Sequence, residues 1–129
     1  MVKIEVTALP WGNEYKWVLD ETYVHKTAIV GHSIDMKYVK LSKTGMLVIM
    51  PGYQWDGASG PTWDTLSCRR GAMVHDALYQ LMEYGGLSHV WKDYSDKQLR
   101  DICLEDGMWP IRAWIWYQMV RKCGGAAWI

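Results

Sequence analysis

His75 and Asp76 stand side by side in the stretch RRGAMVHDALYQL, and Asp56 and Ser59 lie shortly before them in the glycine-rich stretch PGYQWDGASGPT. A histidine beside a carboxylate can act as a general base or as a metal ligand, because the pKa of histidine lies near neutral pH. We therefore predict one cleft in which His75, Asp56, Asp76 and Ser59 are the catalytic residues. The cofactor is unknown; if the site holds a divalent metal, we expect His75, Asp76 and Asp56 to be its ligands.

The same residues also have a structural interpretation. Asp56 and Ser59 readily accept hydrogen bonds from nearby backbone amides in turns, and Gly57 and Gly60 permit unusual backbone angles. Asp56, Ser59, His75 and Asp76 would then form a buried hydrogen-bond network that holds the loop on the following helix. Removing one member of such a network would cost ~1–3 kcal/mol of stability.

The chain is also rich in aromatic residues that suit a ligand pocket, with nine Trp, eight Tyr and no Phe. These rings combine a flat apolar face with a polar group, although most of them are expected in the core. Two arginines at the start of the helix that carries His75 could contact a phosphate together with the N-terminal amides of that helix. The predicted ligand-binding residues are Tyr79, Trp55, Tyr53, Arg69 and Arg70.

Residues 1–55 have the pattern of short antiparallel strands. Apolar and charged residues alternate in VKIEVT, and YKWVLDETYVHK is rich in residues that favour strands. In SIDMKYVKL, the side chains of Ile34, Met36 and Tyr38 would share one face of a strand. The stretch MLVIM is apolar throughout, as in a central strand that is covered on both sides. A loop over 51–66 follows these strands.

Residues 67–125 have the pattern of about three helices. In the first, Val74, Leu78 and Leu81 are spaced to form a buried stripe. His75 and Tyr79 lie one turn apart on the edge of that stripe, where they would face the glycine-rich loop.

Two further helices follow the first. A capping box of Ser95 and Gln98 predicts the start of the second helix, and Gly107 predicts its end. Pro110 suits the first turn of the third helix. The predicted fold is therefore α+β, with an N-terminal antiparallel β-meander packed against about three C-terminal α-helices in a single domain, 1–129.

The composition excludes several classes of partner. Fourteen basic residues balance fourteen acidic ones, whereas a protein that grips long nucleic acid needs a basic surface. No apolar run approaches the ~18 residues of a membrane span, so we expect no membrane partner. The three cysteines have no metal-binding spacing, which favours a reduced, cytoplasmic protein. We interpret His25, His32 and His89 as ordinary surface or edge residues.

The segments MPGYQWDGASGP, RRGAMVHDALYQL and SDKQLRDICLEDGM resemble an uncharacterised phage and prophage family, domain of unknown function 1353. The resemblance covers roughly residues 46–128 and follows the order and spacing of an Asp-x-x-Ser-x-Pro loop and a His-Asp-x-Leu-Tyr helix. It implies a phage origin and supports the cleft, but it supplies no reaction. On the second helix the family's Arg and Asp are exchanged, as Asp96 and Arg100, which predicts a structural i,i+4 ion pair rather than a metal ligand.

Three functions are consistent with these residues. The first is a phage-encoded accessory hydrolase, similar to a phosphodiesterase, that acts on a nucleotide-derived small molecule such as a host immune signal in the cytoplasm of the infected cell. The second is a binder that sequesters such a nucleotide without cleaving it. The third is a structural or morphogenesis protein of the phage particle. The predicted partners are a small nucleotide-like ligand and, through the last helix, further copies of the chain in a homo-oligomer.

Overall fold

The computed structural model of the chain describes residues 4–10, 17–55 and 66–123. Within these residues short strands come first and three α-helices follow, which confirms the predicted α+β class. The strands are β1 (Val6–Ala8), β2 (Trp17–Leu19), β3 (Tyr23–Lys26), β4 (Ile34–Asp35), β5 (Val39–Leu41), β6 (Met46–Ile49) and β7 (Gln54–Trp55). The helices are α1 (Leu66–Tyr84), α2 (Lys92–Glu105) and α3 (Pro110–Cys123), with a 3₁₀ helix at His89–Trp91 between the first two.

The strands form two antiparallel sheets rather than one meander. One sheet has the order β1–β2–β7 and the other has the order β3–β6–β5–β4. In the second sheet, β4, β5 and β6 follow one another as a meander, whereas β7 returns across the chain to pair Trp55 with Trp17 of β2. The chain therefore enters residues 56–65 from a strand that is held by N-terminal residues.

The predicted strand SIDMKYVKL is a hairpin. The N–H of Met36 donates to the carbonyl of Val39 at 3.0 Å, and this turn reverses the chain between β4 and β5. The turn starts a new strand with its own alternation of buried and outward-facing side chains. In that strand Val39 and Leu41 are buried, whereas Tyr38, in the turn, is exposed. The prediction that Met36 and Tyr38 share a strand face was wrong for this reason.

Strand β6 is covered fully on one face. Leu47 and Ile49 are buried, but Met46 and Val48 are half-buried, so the uniformly apolar stretch does not lie between two closed layers. The inner face packs against the helices in one core, whose α1 members include the predicted stripe of Val74, Leu78 and Leu81.

Helix α2 begins earlier than predicted. Ser95 lies within its first turn, where its hydroxyl donates to the carbonyl of Trp91 at 2.8 Å instead of capping the helix. The predicted end is confirmed, because Gly107 has a φ of 97° and the N–H of Met108 donates back to the carbonyl of Cys103 at 2.9 Å.

Helices α1 and α2 pack closely against each other at Gly71. A Cβ on Gly71 of α1 would stand 2.8 Å from the sulfur of Cys103 on α2, so the missing side chain permits this approach. Within the described residues, no helix is long and apolar enough to cross a membrane.

Candidate functional site

His75 and Tyr79 of α1 meet at the interface with α2. Their ring centroids are 4.1 Å apart, as expected for neighbours one helical turn apart. The Nε2 atom of His75 lies 2.8 Å from Oδ1 of Asp96, and the hydroxyl of Tyr79 donates to the same oxygen. Asp96 is fully buried, so the two α1 side chains cover its carboxylate.

Lys92 completes this group, which we call the Asp96 network: His75, Tyr79, Lys92 and Asp96. Lys92 stands one turn before Asp96 on α2, and its Nζ donates to Oδ2 of Asp96 at 2.8 Å. The same ammonium donates to the backbone carbonyl of Arg121 at 3.1 Å. Lys92 therefore links the buried carboxylate to the C-terminal turn of α3, where carbonyl groups carry partial negative charge.

The network favours an ionised Asp96. Burial by itself would raise the pKa of this carboxyl, but the hydrogen bonds from its three donors outweigh burial and hold the pKa below its ordinary value. Burial raises the pKa of the Tyr79 phenol, and the bond to the neighbouring carboxylate raises it further. Tyr79 is therefore a hydrogen-bond donor at neutral pH.

A polar cleft lies beside the Asp96 network. It has a volume of about 620 Å³ and lies among the 3₁₀ helix, α2 and the C-terminal half of α3. Lys97 pairs with Asp93 at 3.0 Å, and the hydroxyl of Tyr117 donates to Asp93 at 2.9 Å. Arg121 is exposed and makes no ion pair within the described residues. The cleft is polar because charged and phenolic side chains line it: Lys92, Asp93, Asp96, Lys97, Tyr117 and Arg121.

Arg70 lies inside the fold and not at a ligand site. Its side chain is 3% exposed, and its Nε and one terminal nitrogen donate to Asp106 at 3.0 and 2.8 Å. The other terminal nitrogen donates to the hydroxyl of Tyr23 at 2.8 Å. The prediction of a phosphate contact for Arg70 fails because its donor groups are directed to these internal acceptors.

The remaining predicted ligand-binding residues do not gather around His75. Arg69 lies over the ring of Trp17, 3.9 Å from its centroid. Trp55 is fully buried in the core. Tyr53 is also buried, but it contributes to the wall of a separate cleft of about 320 Å³, together with Tyr38 and Gln80. Tyr79 is therefore the predicted ligand-binding residue that contacts His75.

Two predicted catalytic residues, Asp56 and Ser59, lie outside the described residues. Asp76 is half-buried, and its charge is close enough to Tyr79 to contribute to the raised pKa of that phenol. Within the described part of the chain, no group of three His, Cys, Asp or Glu side chains is placed to hold a metal ion. A divalent metal bound by His75, Asp76 and Asp56 stays a prediction.

Sequence reasoning missed the role of Asp96. The predicted ion pair with Arg100 is wrong, because Arg100 donates to its neighbour Asp101 at 2.9 Å, whereas Asp96 faces α1. The i,i+4 spacing of Lys92 and Asp96 was a usable signal. Nothing in the spacing could have joined Asp96 to His75, since that contact depends on how two helices pack.

Two of the histidines interpreted as ordinary have specific contacts. His25 of β3 is half-buried, and its ring nitrogens lie 3.2 Å from the hydroxyl of Tyr23 and 2.9 Å from Oε1 of Gln98. His89 lies on the edge of the polar cleft, with Nε2 3.2 Å from the carbonyl of Met82. Arg70, Tyr23 and Asp106 form a buried group that we call the Arg70 cluster. His25 extends this cluster through Tyr23 and links β3 to α2.

Cys68 and Cys103 are both buried. Burial raises the pKa of the Cys103 thiol to about 12. Since the thiolate is the reactive form, this cysteine is not a nucleophile in the folded protein.

Comparisons of the chain with protein-family models, curated proteins and solved structures found no match. The resemblance to the phage family therefore stays a prediction, as does the phage origin that it implies. The candidate function has to be inferred from the Asp96 network and from the cleft beside it.

Proposed function

We propose that the protein binds a small, phosphate-bearing, nucleotide-derived molecule in the polar cleft. The observation that carries this proposal is the meeting of Lys92, Lys97 and Arg121 in one open cleft of about 620 Å³. Small-molecule sites typically measure ~300–1,000 Å³. A cleft of this size with three cations suits a compact anion better than an apolar ligand.

The cations differ in how readily they can reach a ligand. Arg121 has no competing carboxylate within the described residues, so its guanidinium is the first candidate for a two-point contact with phosphate. Lys97 pairs with the exposed Asp93, and exposed pairs of this kind are worth only ~0–1 kcal/mol. A phosphate can therefore replace Asp93 as the partner of Lys97 at little cost.

Asp96 limits what the cleft accepts. Its buried charge holds Lys92 at the cleft wall, which reduces the positive charge offered to a ligand. Three cations against two carboxylates leave a modest positive excess. This favours a ligand with one or two phosphate groups over a long polyanion, in line with the balanced charge of the whole chain.

Hydrolysis of the ligand is the second candidate function, and the contact between His75 and Asp96 favours it. A carboxylate that accepts a hydrogen bond from one ring nitrogen orients a histidine for work as a general base. The Nε2 atom faces Asp96, so Nδ1 would be the atom that takes a proton from an attacking water. In this role Asp96 replaces Asp56, the residue that the sequence suggested as partner of His75. His75 is only 7% exposed and lies behind Asp96 rather than on the cleft wall, so hydrolysis requires a water that reaches the ring from outside the cleft.

The burial of the Asp96 network equally suits the third function, a structural part of a phage particle. Buried polar groups are normally satisfied by hydrogen bonds whether or not they have a role in catalysis. We propose a phage origin and a location in the cytoplasm of the infected cell from the resemblance stated above. Ligand binding separates this third function from the first two.

The test uses purified protein and a panel of cyclic di- and trinucleotides and ADP-ribose derivatives, with Mg²⁺, Mn²⁺ or a chelator. Binding is measured by calorimetry, and each mixture is analysed by chromatography before and after heat denaturation. Arg121→Gln removes a charged contact to the ligand and should weaken binding about tenfold or more. The matched control is Lys43→Gln, which removes an exposed charge outside the cleft. Equal affinities in these two variants would contradict the proposed cleft.

The chromatograms separate binding from hydrolysis. Ligand that returns intact on heating indicates a binder, whereas a new product that disappears in His75→Ala indicates the hydrolase. A protein that binds no member of the panel leaves the structural function as the better explanation of the Asp96 network.

A further inference from the structure

A second cleft, of about 320 Å³, lies between the strands and α1. We call it the tyrosine cleft, and the described residues that line it are Tyr38, Gly52, Tyr53, Gln54 and Gln80. Among the described residues, none lines both this cleft and the polar cleft. The tyrosine cleft is therefore a separate place on the molecule where a ligand can be held.

Backbone hydrogen bonds fix the walls of the tyrosine cleft. The N–H of Met50 donates to the carbonyl of Tyr38 at 2.8 Å, and the N–H of Gly52 donates to the carbonyl of Leu19 at the same distance. Gly52 has a φ of 95°, a conformation that other residues rarely adopt. Its backbone comes so close to Tyr38 that a Cβ would stand 3.0 Å from Cε1 of the ring. The cleft is therefore preformed, and a ligand would lose little affinity to the ordering of its walls.

Three polar side chains of the cleft have no hydrogen-bond partner within the described residues. They are the amides of Gln54 and Gln80 and the hydroxyl of Tyr38. Gln54 is exposed, Gln80 is half-buried and Tyr38 is 37% exposed, so solvent reaches all three residues. Each amide carries donors and an acceptor, and a phenol can do both. The turn before β5, strand β7 and helix α1 thus each bring one hydrogen-bonding group that is available to a ligand.

The charge of the lining selects the class of ligand. None of the described residues that line the tyrosine cleft is charged, so a phosphate or carboxylate would lose water there without gaining an ion pair. Lys37 lies over the ring of Tyr38, 5.1 Å from its centroid, but it does not line the cleft. A purely apolar ligand would separate the amides and the phenol from water, which is costly for polar groups without partners. The ligand that fits is neutral and rich in hydroxyl groups.

We infer that the tyrosine cleft binds a neutral saccharide of one or two rings. Sugar hydroxyls both donate and accept hydrogen bonds, as the groups of Tyr38, Gln54 and Gln80 require. The C–H groups of a sugar ring can pack on the apolar part of Tyr38. The volume lies at the low end of small-molecule sites, which measure ~300–1,000 Å³, and this limits the ligand to one or two rings. A free nucleobase is the competing neutral ligand, but it carries its polar groups in one plane, whereas the cleft offers them from three separate elements.

The test is an NMR titration of the isotope-labelled full chain with glucose, galactose, N-acetylglucosamine, maltose and lactose. Concentrations up to ~50 mM detect the millimolar affinities that are typical of a few hydrogen bonds. We expect at least one sugar to shift the side-chain amide signals of Gln54 and Gln80. The amide signal of Gln118, which is half-buried on α3 and lines neither cleft, should not move. If no sugar produces a saturable shift at Gln54 and Gln80, the inference is wrong.

Matched glutamine variants test the assignment of the site. Gln80→Ala should weaken binding of the best sugar about fivefold or more, because it removes one hydrogen-bonding group from the cleft. Gln118→Ala removes the same group from α3 and should leave the affinity unchanged. Gln54→Ala changes an exposed side chain and provides a second cleft variant that does not disturb the packing of α1. Sugar binding that is equal in both cleft variants and in the control would contradict the assignment.

Two comparisons separate this inference from its alternatives. Uracil and cytosine are titrated as free nucleobases, and shifts of Gln54 and Gln80 by a base but by no sugar would assign the cleft to a planar ligand and overturn the inference. The inference does not depend on nucleotide binding in the polar cleft. Arg121→Gln should therefore bind the sugar as the wild type does, and a loss of sugar binding in this variant would contradict the separate location of the site.

Discussion

Replacing Asp96 by asparagine keeps the size of the side chain but removes the buried charge that Lys92 faces. Removing one partner of a buried ion pair costs about 3–5 kcal/mol. The Lys92 side chain is 23% exposed and can turn its ammonium to water, which places the expected loss near the lower limit, at about 3 kcal/mol. For a chain of this length, that loss corresponds to a fall in Tm of roughly 10 °C.

The loss should depend on pH with a definite sign. Folding lowers the pKa of Asp96, so the ionised carboxylate stabilises the fold at every pH above its unfolded value of ~3.9. This stabilisation disappears as pH falls through the lower folded value. The difference in free energy of unfolding between wild type and Asp96→Asn is therefore largest at neutral pH, and it shrinks below about pH 4.

The free energy of unfolding is measured by urea titration at pH 7 and at steps down to pH 3. Asp93→Asn is the matched control, because it removes the same charge from the same helix at a side chain that is 58% exposed. Its ion pair should be worth no more than ~1 kcal/mol. Equal losses in the two variants at pH 7, or a gap for Asp96→Asn that stays constant down to pH 3, would refute the stabilising role of the buried charge.

Two further substitutions test the packing of α1. Arg70→Lys keeps the charge but cannot make two parallel hydrogen bonds to Asp106. We expect its free energy of unfolding, measured by urea titration, to fall by ~2–3 kcal/mol. A fall below ~0.5 kcal/mol would mean that the paired hydrogen bonds of the guanidinium contribute little. Gly71→Ala places a Cβ 2.8 Å from the sulfur of Cys103, which should cost ~1–3 kcal/mol by calorimetry. The double variant with Cys103→Ala should lose less than the sum of the two single variants, and strict additivity would contradict the close contact.

The sequence predicted the elements of the fold better than their arrangement. The 3.6-residue spacing of Val74, Leu78 and Leu81 identified the buried face of α1, because that signal is local. The pairing of β7 with β2 joins Trp55 to Trp17 across most of the β-rich region. No local pattern specifies such a pairing, so one meander was predicted where two sheets form.

In the candidate site, too, the local spacing on one helix was predictable, whereas the contact between two helices was not. The positions of His75 and Tyr79 on one helical edge follow from helix geometry and are confirmed. Their partner Asp96 is 21 residues away from His75 and on another helix. Likewise, the sequence does not show whether an arginine is exposed and able to bind a ligand or, like Arg70, is buried against a carboxylate.

The cluster around Arg70 also affects the order of folding events. Its contacts join residues far apart in the chain: 47 residues separate Arg70 from Tyr23, and 73 separate His25 from Gln98. Closing such long loops is entropically unfavourable, and a buried guanidinium gains its partners only after β3, α1 and α2 have docked. We therefore expect this cluster to form after the rate-limiting step of folding. Changes there would then mainly speed unfolding, so the cluster would determine how long the folded protein lasts rather than how quickly it appears.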